Sequence, residues 1–280
     1  MRIIFFSIFC FVAFNLGANP SLSALNAPCT ADAYNNSCGS TFYNVYKVKL
    51  DTNTISLFWK DSSNTAYGSF DFLTSSLKKQ SRTLLFALNS GLFCPVKDAN
   101  GNEVKDASGN KVNKPCGLHI ENGTELVKLN RDAETGADNL HTRPGVFYIT
   151  SDNKAHIVTR DTFISSYDNN TSFKQSINIA VQSGPMFVDN GTAKGSDTTS
   201  HVIRALVCTF ADNTVGLILS NSVSPCCVGR DLLKLGCNNA MMLDGAIVQG
   251  YFDGIPDMSG TLKYNSATQK KSLVGIIGVE

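Results

Sequence analysis

Short apolar runs bounded by Asn, Asp, Ser and Gly recur along the chain from about residue 40 onward. Runs of this kind with turn residues between them are typical of β-strands joined by tight connections. The clearest example is GLHIENGTELVKL (117–129), where Asn122-Gly123 fits the positive φ angles of a type I′ hairpin turn. GVFYITSDNKAHIV (145–158) and HVIRALVCTFADNTVGLILS (201–220) repeat the pattern. The sequence therefore predicts a strand-rich fold.

Helices are expected to be few and short. SFDFLTSSLKKQ (69–80) places Phe70, Leu73 and Leu77 on one helical face, and CCVGRDLLKLGC (226–237) is typical of a short helix closed by a glycine. We therefore expect an α+β fold class, with mostly antiparallel, twisted sheets and a few short helices.

Two further segments make specific predictions. FYNVYKVKLDTNTISLFW (42–59) indicates a hairpin that turns at Asp51–Asn53, and TLLFAL (83–88) indicates a short buried strand. The chain has 280 residues, of which 42% are hydrophobic, and this is enough for one substantial core. No linker interrupts the pattern, so we expect a single domain over residues 25–280.

Residues 1–24 have the layout of a cleaved secretory signal. Arg2 precedes an apolar stretch from Ile3 to Phe14, and small residues follow between Ala18 and Ala24. A retained signal anchor is the alternative, but the stretch is too short to span a bilayer. A net charge of +1 with no basic run argues against a nucleic-acid or anionic-membrane partner. We therefore expect a secreted or periplasmic protein.

Cysteine usage supports export. Cys10 lies in the signal segment, which leaves Cys29, Cys38, Cys94, Cys116, Cys208, Cys226, Cys227 and Cys237. An even number in an exported chain predicts disulfides. Zinc is the alternative, but the sequence has no C-x-x-C pair and no H-E-x-x-H helix, so we expect no metal and no cofactor. Locality favours the pairs Cys29–Cys38 and Cys94–Cys116.

One internal repeat stands out. KDANGNEV (97–104) and KDASGNKV (105–112) follow each other directly. Their Asp and Asn spacing resembles a calcium loop, but Glu103 and Gly109 occupy the wrong positions for an EF-hand. The repeat predicts two successive turns in a surface excursion, tied at its base by a Cys94–Cys116 disulfide.

Three apolar runs end in polar residues followed by glycine. The residues concerned are Asn89, Ser90 and Gly91; Gln182, Ser183 and Gly184; and Asp244 and Gly245. Turn chemistry explains any one of these ends alone. Together they predict buried strands that deliver short polar groups to a common sheet edge, which suits a small anionic ligand.

The segment SDTTSHVIRALV adds Asp197, His201 and Arg204. Arg204 lies in an otherwise apolar strand, where a charge needs either a structural carboxylate or a bound anion as its partner. No G-x-S-x-G elbow and no phosphate-binding glycine motif is present. The histidines His119 and His156, like His141, are interpreted as structural residues.

Six motifs then occur in a fixed order: ALNSGLF, GLHIENG, RPGVFYI, AVQSGPMFVDNG, IRALV and AMMLDGA. Over about residues 83–252 they resemble the phosphodiester glycosidase domain of the lysosomal uncovering enzyme and its bacterial relatives. The resemblance implies hydrolysis of a sugar-1-phosphodiester at the glycosidic bond, which releases free sugar and a phosphomonoester. It also implies that the site is lined by Asn89, Gly91, Gln182, Ser183, Gly184, Arg204, Asp244 and Gly245.

The expected roles follow from this chemistry. The leaving phosphate needs an anion clamp, assigned to Arg204, and the anomeric centre needs a carboxylate, assigned to Asp244 with Asp197 in reserve. His201 is expected to shuttle a proton. Asn89, Gly91, Gln182, Ser183, Gly184 and Gly245 are expected to bind the substrate, a small molecule or glycan that carries a sugar-1-phosphate diester.

Two alternatives to catalysis stay open. The chain departs from the family pattern at Ser90 and Ala246, where relatives frequently have glycine, and the added bulk is compatible with a non-catalytic carbohydrate-binding protein. The other alternative is a structural secreted protein, in which Arg204 pairs internally with Asp197 or Asp244.

Overall fold

A computed structural model describes residues 38, 41, 43–107, 109–131, 143–194, 201–245, 248–253, 260–263 and 273–280. Within these residues the strands are β1 (Tyr43–Lys49), β2 (Ile55–Phe58), β3 (Phe86–Asn89), β4 (Phe93–Pro95), β5 (Asn113–Pro115), β6 (His119–Glu121), β7 (Thr124–Val127), β8 (Gly145–Thr150), β9 (Ala155–Thr159), β10 (Ile177–Ser183), β11 (Met186–Asp189), β12 (Thr192–Ala193), β13 (Arg204–Thr209), β14 (Thr214–Ser220), β15 (Asn239–Gly245), β16 (Gln249–Phe252), β17 (Gly260–Lys263) and β18 (Ile276–Val279). The helices are α1 (Phe70–Lys79), α2 (Arg160–Asn169), α3 (Thr171–Ser176) and α4 (Pro225–Lys234).

The strands form three large sheets and one small ribbon. Sheet A has the order β1-β14-β13-β15-β11-β12, sheet B the order β7-β6-β10-β8-β9, and sheet C the order β17-β16-β3-β18-β2. Strands β4 and β5 form the ribbon. The strand pairings in all of them are antiparallel. The predicted α+β fold, rich in antiparallel strands with a few short helices, is therefore confirmed.

All three sheets contribute to one shared apolar core. Its members include Leu217 and Leu243 from sheet A, Val181 from sheet B, and Phe86 and Ile277 from sheet C. These side chains are almost fully removed from water. Because the sheets converge on this core, residues at the ends of strands from different sheets can meet.

Each sheet is also covered on its other face. In β13, Ala205 and Val207 contact the shared core, whereas Leu206 and Cys208 contact a second cluster that includes residues of α4. Sheet B packs in the same way against α2 and α3, and sheet C against α1. Successive strand residues point to opposite faces, so strands that are buried on both sides appear in the sequence as continuous apolar runs.

The local predictions with strong turn or cap signals are confirmed. Helix α1 buries Phe70, Leu73 and Leu77, and its N-cap Ser69 accepts a hydrogen bond from the Phe72 amide. The hairpin between β6 and β7 turns through two residues with positive φ, at Asn122-Gly123. Strand β3 (Phe86–Asn89) and helix α4 (Pro225–Lys234) overlap their predicted segments, 83–88 and 226–237, and each extends one residue beyond.

The predicted hairpin over residues 42–59 is wrong. The turn exists, since the Asn53 amide donates to the Lys49 carbonyl over 3.1 Å. However, β1 pairs with β14 in sheet A, and β2 pairs with β18 in sheet C. The turn therefore carries the chain from sheet A to sheet C.

The disulfides confirm one predicted pair and contradict the other. Cys94 is bonded to Cys116, as predicted, but Cys38 is bonded to Cys227 rather than to Cys29. The structure also joins Cys208 to Cys237, and Cys226 is disulfide-bonded as well. Sequence proximity does not identify the partner of Cys38, which is bonded to a residue of α4 that is 189 positions away.

The repeat at residues 97–112 forms the predicted excursion at the tip of the β4–β5 ribbon. Its residues are mostly exposed, and Asp98 and Asp106 each accept hydrogen bonds from amides of their own turn. The backbone closes through three valines: Val96 N donates to Val112 O, Val104 N to Val96 O, and Val112 N to Val104 O. The two copies therefore share one ring of backbone hydrogen bonds.

None of the helices in the described ranges is long and apolar enough to cross a membrane. The predicted signal segment (1–24) lies outside the described residues, as do Cys29 and His141.

Candidate active site

Asp244 lies at the end of β15, next to a β-bulge. The pairing of β13 with β15 shifts between Leu206–Met242 and Ala205–Asp244, so Leu243 is the extra residue. Ala205 belongs to the shared core, so its partner Asp244 faces the same side. A bulge redirects the side chain that follows it. Here it turns a carboxylate toward the region between the sheets.

The Asp244 carboxylate is buried and held by two donors. Only 3% of Asp244 is exposed. Asn89 Nδ2 donates to Oδ2 over 3.0 Å, and the Gly245 amide donates to Oδ1 over 2.7 Å. Burial raises the pKa of Asp244 to about 7, and the two donated hydrogen bonds oppose that rise. The group is therefore present in both protonation states near neutral pH.

The three polar strand ends meet at a junction of sheets. Asn89 ends β3 of sheet C, Ser183 ends β10 of sheet B, and Asp244 lies in β15 of sheet A. Asn89 contacts Asp244, and Ser183 Oγ donates to the Leu243 carbonyl over 2.7 Å. The structure thus brings the three ends together, although they come from three sheets rather than from the single edge that the sequence predicted. We call this region the three-sheet junction.

Gln182 holds the loops beside the junction. Its Oε1 accepts from the amides of Leu118 (3.1 Å) and Asn130 (2.9 Å). Its Nε2 donates to the carbonyls of Asn130 (2.9 Å) and Arg143 (3.1 Å). The side-chain amide therefore makes four backbone hydrogen bonds, and this fixes the chain on both sides of β10.

The glycines at the junction allow close packing. A Cβ on Gly91 would lie 3.1 Å from Val181 Cγ2, so a side chain there would press on β10. Gly184 precedes Pro185 through a cis peptide bond, and the Pro185 carbonyl accepts a hydrogen bond from the Met242 amide. Gly91 thus lies where β10 passes close to the chain that follows β3, and Pro185 connects the end of β10 to β15.

Arg204 begins β13 and is 1% exposed. Its Nη1 lies 3.3 Å from Met242 Sδ, and Nη2 donates to the Val223 carbonyl over 3.4 Å. The guanidinium carbon lies 5.8 Å from the centre of the Phe187 ring. Burial lowers the pKa of Arg204 to about 10, so the group stays cationic at neutral pH.

Arg204 and Asp244 occupy opposite faces of sheet A at the same end. Gly245 is the strand partner of Arg204, and a Cβ on Gly245 would lie 3.7 Å from Nη1 and 3.2 Å from Met242 Sδ. Gly245 thus faces the arginine, whereas Asp244 faces the three-sheet junction. The partners of the carboxylate are Asn89 and the Gly245 amide, not Arg204.

The other predicted site residues are placed less fully. His201 is exposed and precedes β13 by three residues. Asp197 and Ala246 lie outside the described residues.

His119 also lies near this site, although the sequence analysis treated it as structural. It is fully buried in β6, and its Nε2 lies 2.7 Å from Glu121 Oε1. Its Nδ1 has no hydrogen-bond partner in the described part of the chain. A Cβ on Gly275 would lie 3.6 Å from His119 Cε1 and 2.2 Å from Ser90 Oγ, so this glycine fits between the two. In the sequence, His119 is part of the motif GLHIENG.

No three His, Cys, Asp or Glu side chains gather as possible metal ligands anywhere in the described ranges.

Comparison with known proteins places this geometry in a family context. The sequence profile of the phosphodiester glycosidase family matches residues 93–272. YigE of Escherichia coli strain K12, described as uncharacterized, is 28% identical over 217 residues, which cover 75% of this chain and 74% of YigE.

The zebrafish N-acetylglucosamine-1-phosphodiester α-N-acetylglucosaminidase catalytic domain, solved in a form auto-inhibited by its pro-peptide, is similar in fold. Its TM-score is 0.50 at 12% identity, over 86% of this chain and 77% of that one.

Proposed function

This chain belongs to the phosphodiester glycosidase family, and we propose that it is an exported hydrolase that cleaves the glycosidic bond of a sugar-1-phosphodiester. The observation that carries the proposal is the Asp244 carboxyl, which is buried at the three-sheet junction within the matched region and is held by Asn89 and the Gly245 amide. Burial raises its pKa to about 7. Perturbed carboxyls of this kind are concentrated at functional sites.

The reaction transfers the sugar to water. The bond between the anomeric carbon and the phosphate oxygen breaks, the phosphomonoester leaves with the bonding electrons, and water supplies the new hydroxyl. The leaving group is a stable anion, so it needs little help from a general acid. The demanding part is the positive charge that develops at the anomeric carbon.

Asp244 is the group that we assign to the stabilisation of this positive charge. As a carboxylate it stabilises an oxocarbenium-like centre or takes a proton from the attacking water. With a pKa of about 7 it can accept and release that proton at neutral pH. Asn89 holds one carboxylate oxygen and the Gly245 amide holds the other, so the group is oriented before the substrate arrives.

Arg204 supplies the cation at this end of sheet A. Its guanidinium lies beside Gly245, where a Cβ would lie 3.7 Å from Nη1. A planar guanidinium binds a phosphate through two parallel hydrogen bonds, which an ammonium cannot do. In this proposal Arg204 binds the phosphate, and Asp244 acts at the anomeric carbon of the sugar.

The remaining predicted residues have supporting roles in this proposal. Ser183 fixes β15 through the Leu243 carbonyl, and Gln182 fixes the loops beside β10. Gly91 lets the chain after β3 pass close to Val181 of β10, and Gly184 follows the end of β10. His201 is kept as a proton shuttle because it is exposed and close in sequence to Arg204.

One observation favours a second function, a binding protein without turnover. Arg204 and Asp244 are both almost fully buried, and they face opposite sides of sheet A. A substrate then has to reach both groups around the end of the sheet. If it reaches only one of them, the scaffold binds a glycosyl phosphate without cleaving it.

Export is supported by the cysteines. All seven cysteines in the described part of the chain are disulfide-bonded. Structural disulfides are rare in reducing compartments. We propose that residues 1–24 act as the signal segment and that residues 25–280 form the exported domain.

The test is release of free sugar from a panel of sugar-1-phosphodiesters, including nucleotide-sugars. Wild type is compared with Asp244→Asn and with the matched surface variant Asp161→Asn, whose carboxylate is mostly exposed. Thermal unfolding checks that all three proteins fold. Sugar release by wild type and Asp161→Asn, but not by Asp244→Asn, supports the proposal. Binding of a diester by wild type without any sugar release favours the second function.

A further inference from the structure

A groove of about 700 Å³ lies between the 97–112 excursion and the core of the protein. Trp59 and Val274 line its inner side, and Glu103 and Asn110 belong to the excursion. This volume falls within the range of small-molecule binding sites. The excursion therefore forms a wall as well as a surface loop.

The lining of the groove combines aromatic and polar side chains. Phe93 is 38% exposed, although it is a large apolar residue, and Trp59 is half-buried. The polar lining includes Glu103, Asn110 and Asn113. Sugar rings have apolar C–H faces and hydroxylated edges, so they match aromatic side chains surrounded by carboxylate and amide groups.

The charge of the groove does not suit a phosphate-rich ligand. Among the described residues that line it, Lys111 is the only cation, and its Nζ lies 2.8 Å from Glu103 Oε2. A nucleotide needs uncompensated positive charge or a cluster of free donors. An uncharged ligand does not.

The groove adjoins the three-sheet junction. The Trp59 ring contacts the His119 ring edge-on, with their centres 6.2 Å apart. Val274 precedes Gly275, the residue that fits between Ser90 and His119. A ligand in the groove thus lies one layer of side chains away from the strand end that contains Asn89.

We propose that this groove binds an uncharged oligosaccharide, namely the sugar units of the substrate beyond the bond that is cleaved. The inference rests on the proposed function, because it assigns the groove to a longer form of the same substrate. The length of the excursion then sets the length of glycan that the protein accepts.

Trp59 provides a direct readout, because it is the only tryptophan in the chain. Its fluorescence is measured during titration with cellotetraose, chitotetraose and maltotetraose, with the monosaccharides and with uridine monophosphate, and calorimetry measures the same mixtures. We expect at least one tetrasaccharide to change the emission and to bind more tightly than its monosaccharide. Phe93→Ala should weaken this binding roughly fivefold to tenfold. Phe72→Ala, which alters an equally exposed phenylalanine that does not line the groove, should leave it unchanged.

A second variant removes the wall. Residues 97–111 are replaced by Asn-Gly, because Val96 and Val112 already share a backbone hydrogen bond and can flank a two-residue turn. We expect this variant to keep wild-type kcat and KM for a diester of one sugar unit. For a diester that carries a tetrasaccharide, its KM should rise roughly tenfold.

The outcomes separate this inference from the proposed function. If tetrasaccharides bind at Trp59 but no diester is hydrolysed, the groove assignment stands and the hydrolase proposal fails. If diesters are hydrolysed but no tetrasaccharide gives a fluorescence change or heat, the groove assignment is wrong. The inference would also be overturned if the shortened variant kept the wild-type KM for the tetrasaccharide diester. Tighter binding of uridine monophosphate than of any tetrasaccharide would overturn it as well.

Discussion

Asn89 Nδ2 donates a hydrogen bond to Asp244 Oδ2 over 3.0 Å, and the two residues are 155 positions apart in the chain. Asn89 Oδ1 accepts from the Gln249 amide over 2.8 Å. Since a backbone amide can only donate, this contact fixes which end of the Asn89 side chain faces Asp244. The carboxylate is therefore held by a donor whose orientation is set within another sheet.

The first prediction concerns the Asp244 carboxylate. Asp244→Asn preserves size but removes the charge that the transition state uses, so we expect kcat to fall by about 10²–10⁴-fold while diester binding is largely kept. Steady-state kinetics and calorimetry measure the two effects, with Asp161→Asn as the control. A folded and fully active Asp244→Asn protein would show that another group, with Asp197 next in line, is the reacting carboxylate.

The second prediction concerns Asn89. Its donated hydrogen bond lowers the pKa of Asp244 against the larger effect of burial. Asn89→Ala should therefore move the acidic limb of the pH–rate profile to a higher pH than in wild type. The profile is measured for both proteins and for Asn169→Ala, which removes an exposed asparagine on α2. An unchanged limb in Asn89→Ala would separate Asn89 from the titrating group.

The third prediction is a pH dependence of stability. Burial raises the pKa of Asp244 from an ordinary 3.8 to about 7, so between these values the folded protein binds more protons than the unfolded chain. The free energy of unfolding then decreases as the pH rises through this window, and the loss persists above pH 7. In Asp244→Asn no buried carboxyl has to ionise. This variant should therefore be more stable than wild type at pH 8, by about 2–4 kcal/mol, but not at pH 4. Urea unfolding at both pH values measures the difference, and parallel stability curves would contradict the assignment.

The fourth prediction concerns Arg204. Arg204→Lys keeps the charge but loses the planar fork, so we expect weaker diester binding together with a lower kcat. We also expect a lower melting temperature, because the lysine ammonium has to replace buried contacts to Met242 and Val223. Arg131→Lys, on the surface, is the matched control. Wild-type affinity in a folded Arg204→Lys protein would remove Arg204 from the phosphate site.

The fifth prediction ranks two disulfides. In the chain-entropy model, closing the 189-residue separation of Cys38 and Cys227 stabilises the protein by about 5 kcal/mol, and the 22-residue separation of Cys94 and Cys116 by about 3 kcal/mol. Replacing the first pair by alanine should therefore cost more in chemical denaturation than replacing the second. A smaller loss of stability for the Cys38–Cys227 pair than for the Cys94–Cys116 pair would contradict this ranking. Thiol counting on denatured, unreduced protein should find almost no free thiols.

Parts of the fold could be predicted because their signals are local. The turn at Asn122-Gly123 and the helix that begins after Ser69 depend on residues within a few positions of one another. The partners of β1 and β2 could not be predicted in the same way. An apolar run specifies that a strand is buried, but not which strand it pairs with.

The candidate site, too, could be predicted only in part. The sequence identified Asn89, Ser183 and Asp244 as polar strand ends, and these residues do converge. It could not show the bulge at Leu243, which decides the face that Asp244 occupies. The position of His119 beside the junction could not be predicted from the sequence, because it depends on the packing of Gly275, which is distant in the chain.

The ring of backbone hydrogen bonds through Val96, Val104 and Val112 has an evolutionary consequence. With both copies of the repeat present, the three valines bond in a cycle. Loss of one eight-residue copy would leave two valines, and two residues of this kind can close on each other as an ordinary hairpin pair. Duplication or deletion of a single unit is therefore compatible with the same disulfide-bonded base. A lineage can change the depth of the groove by copy number alone, without any substitution in the three-sheet junction.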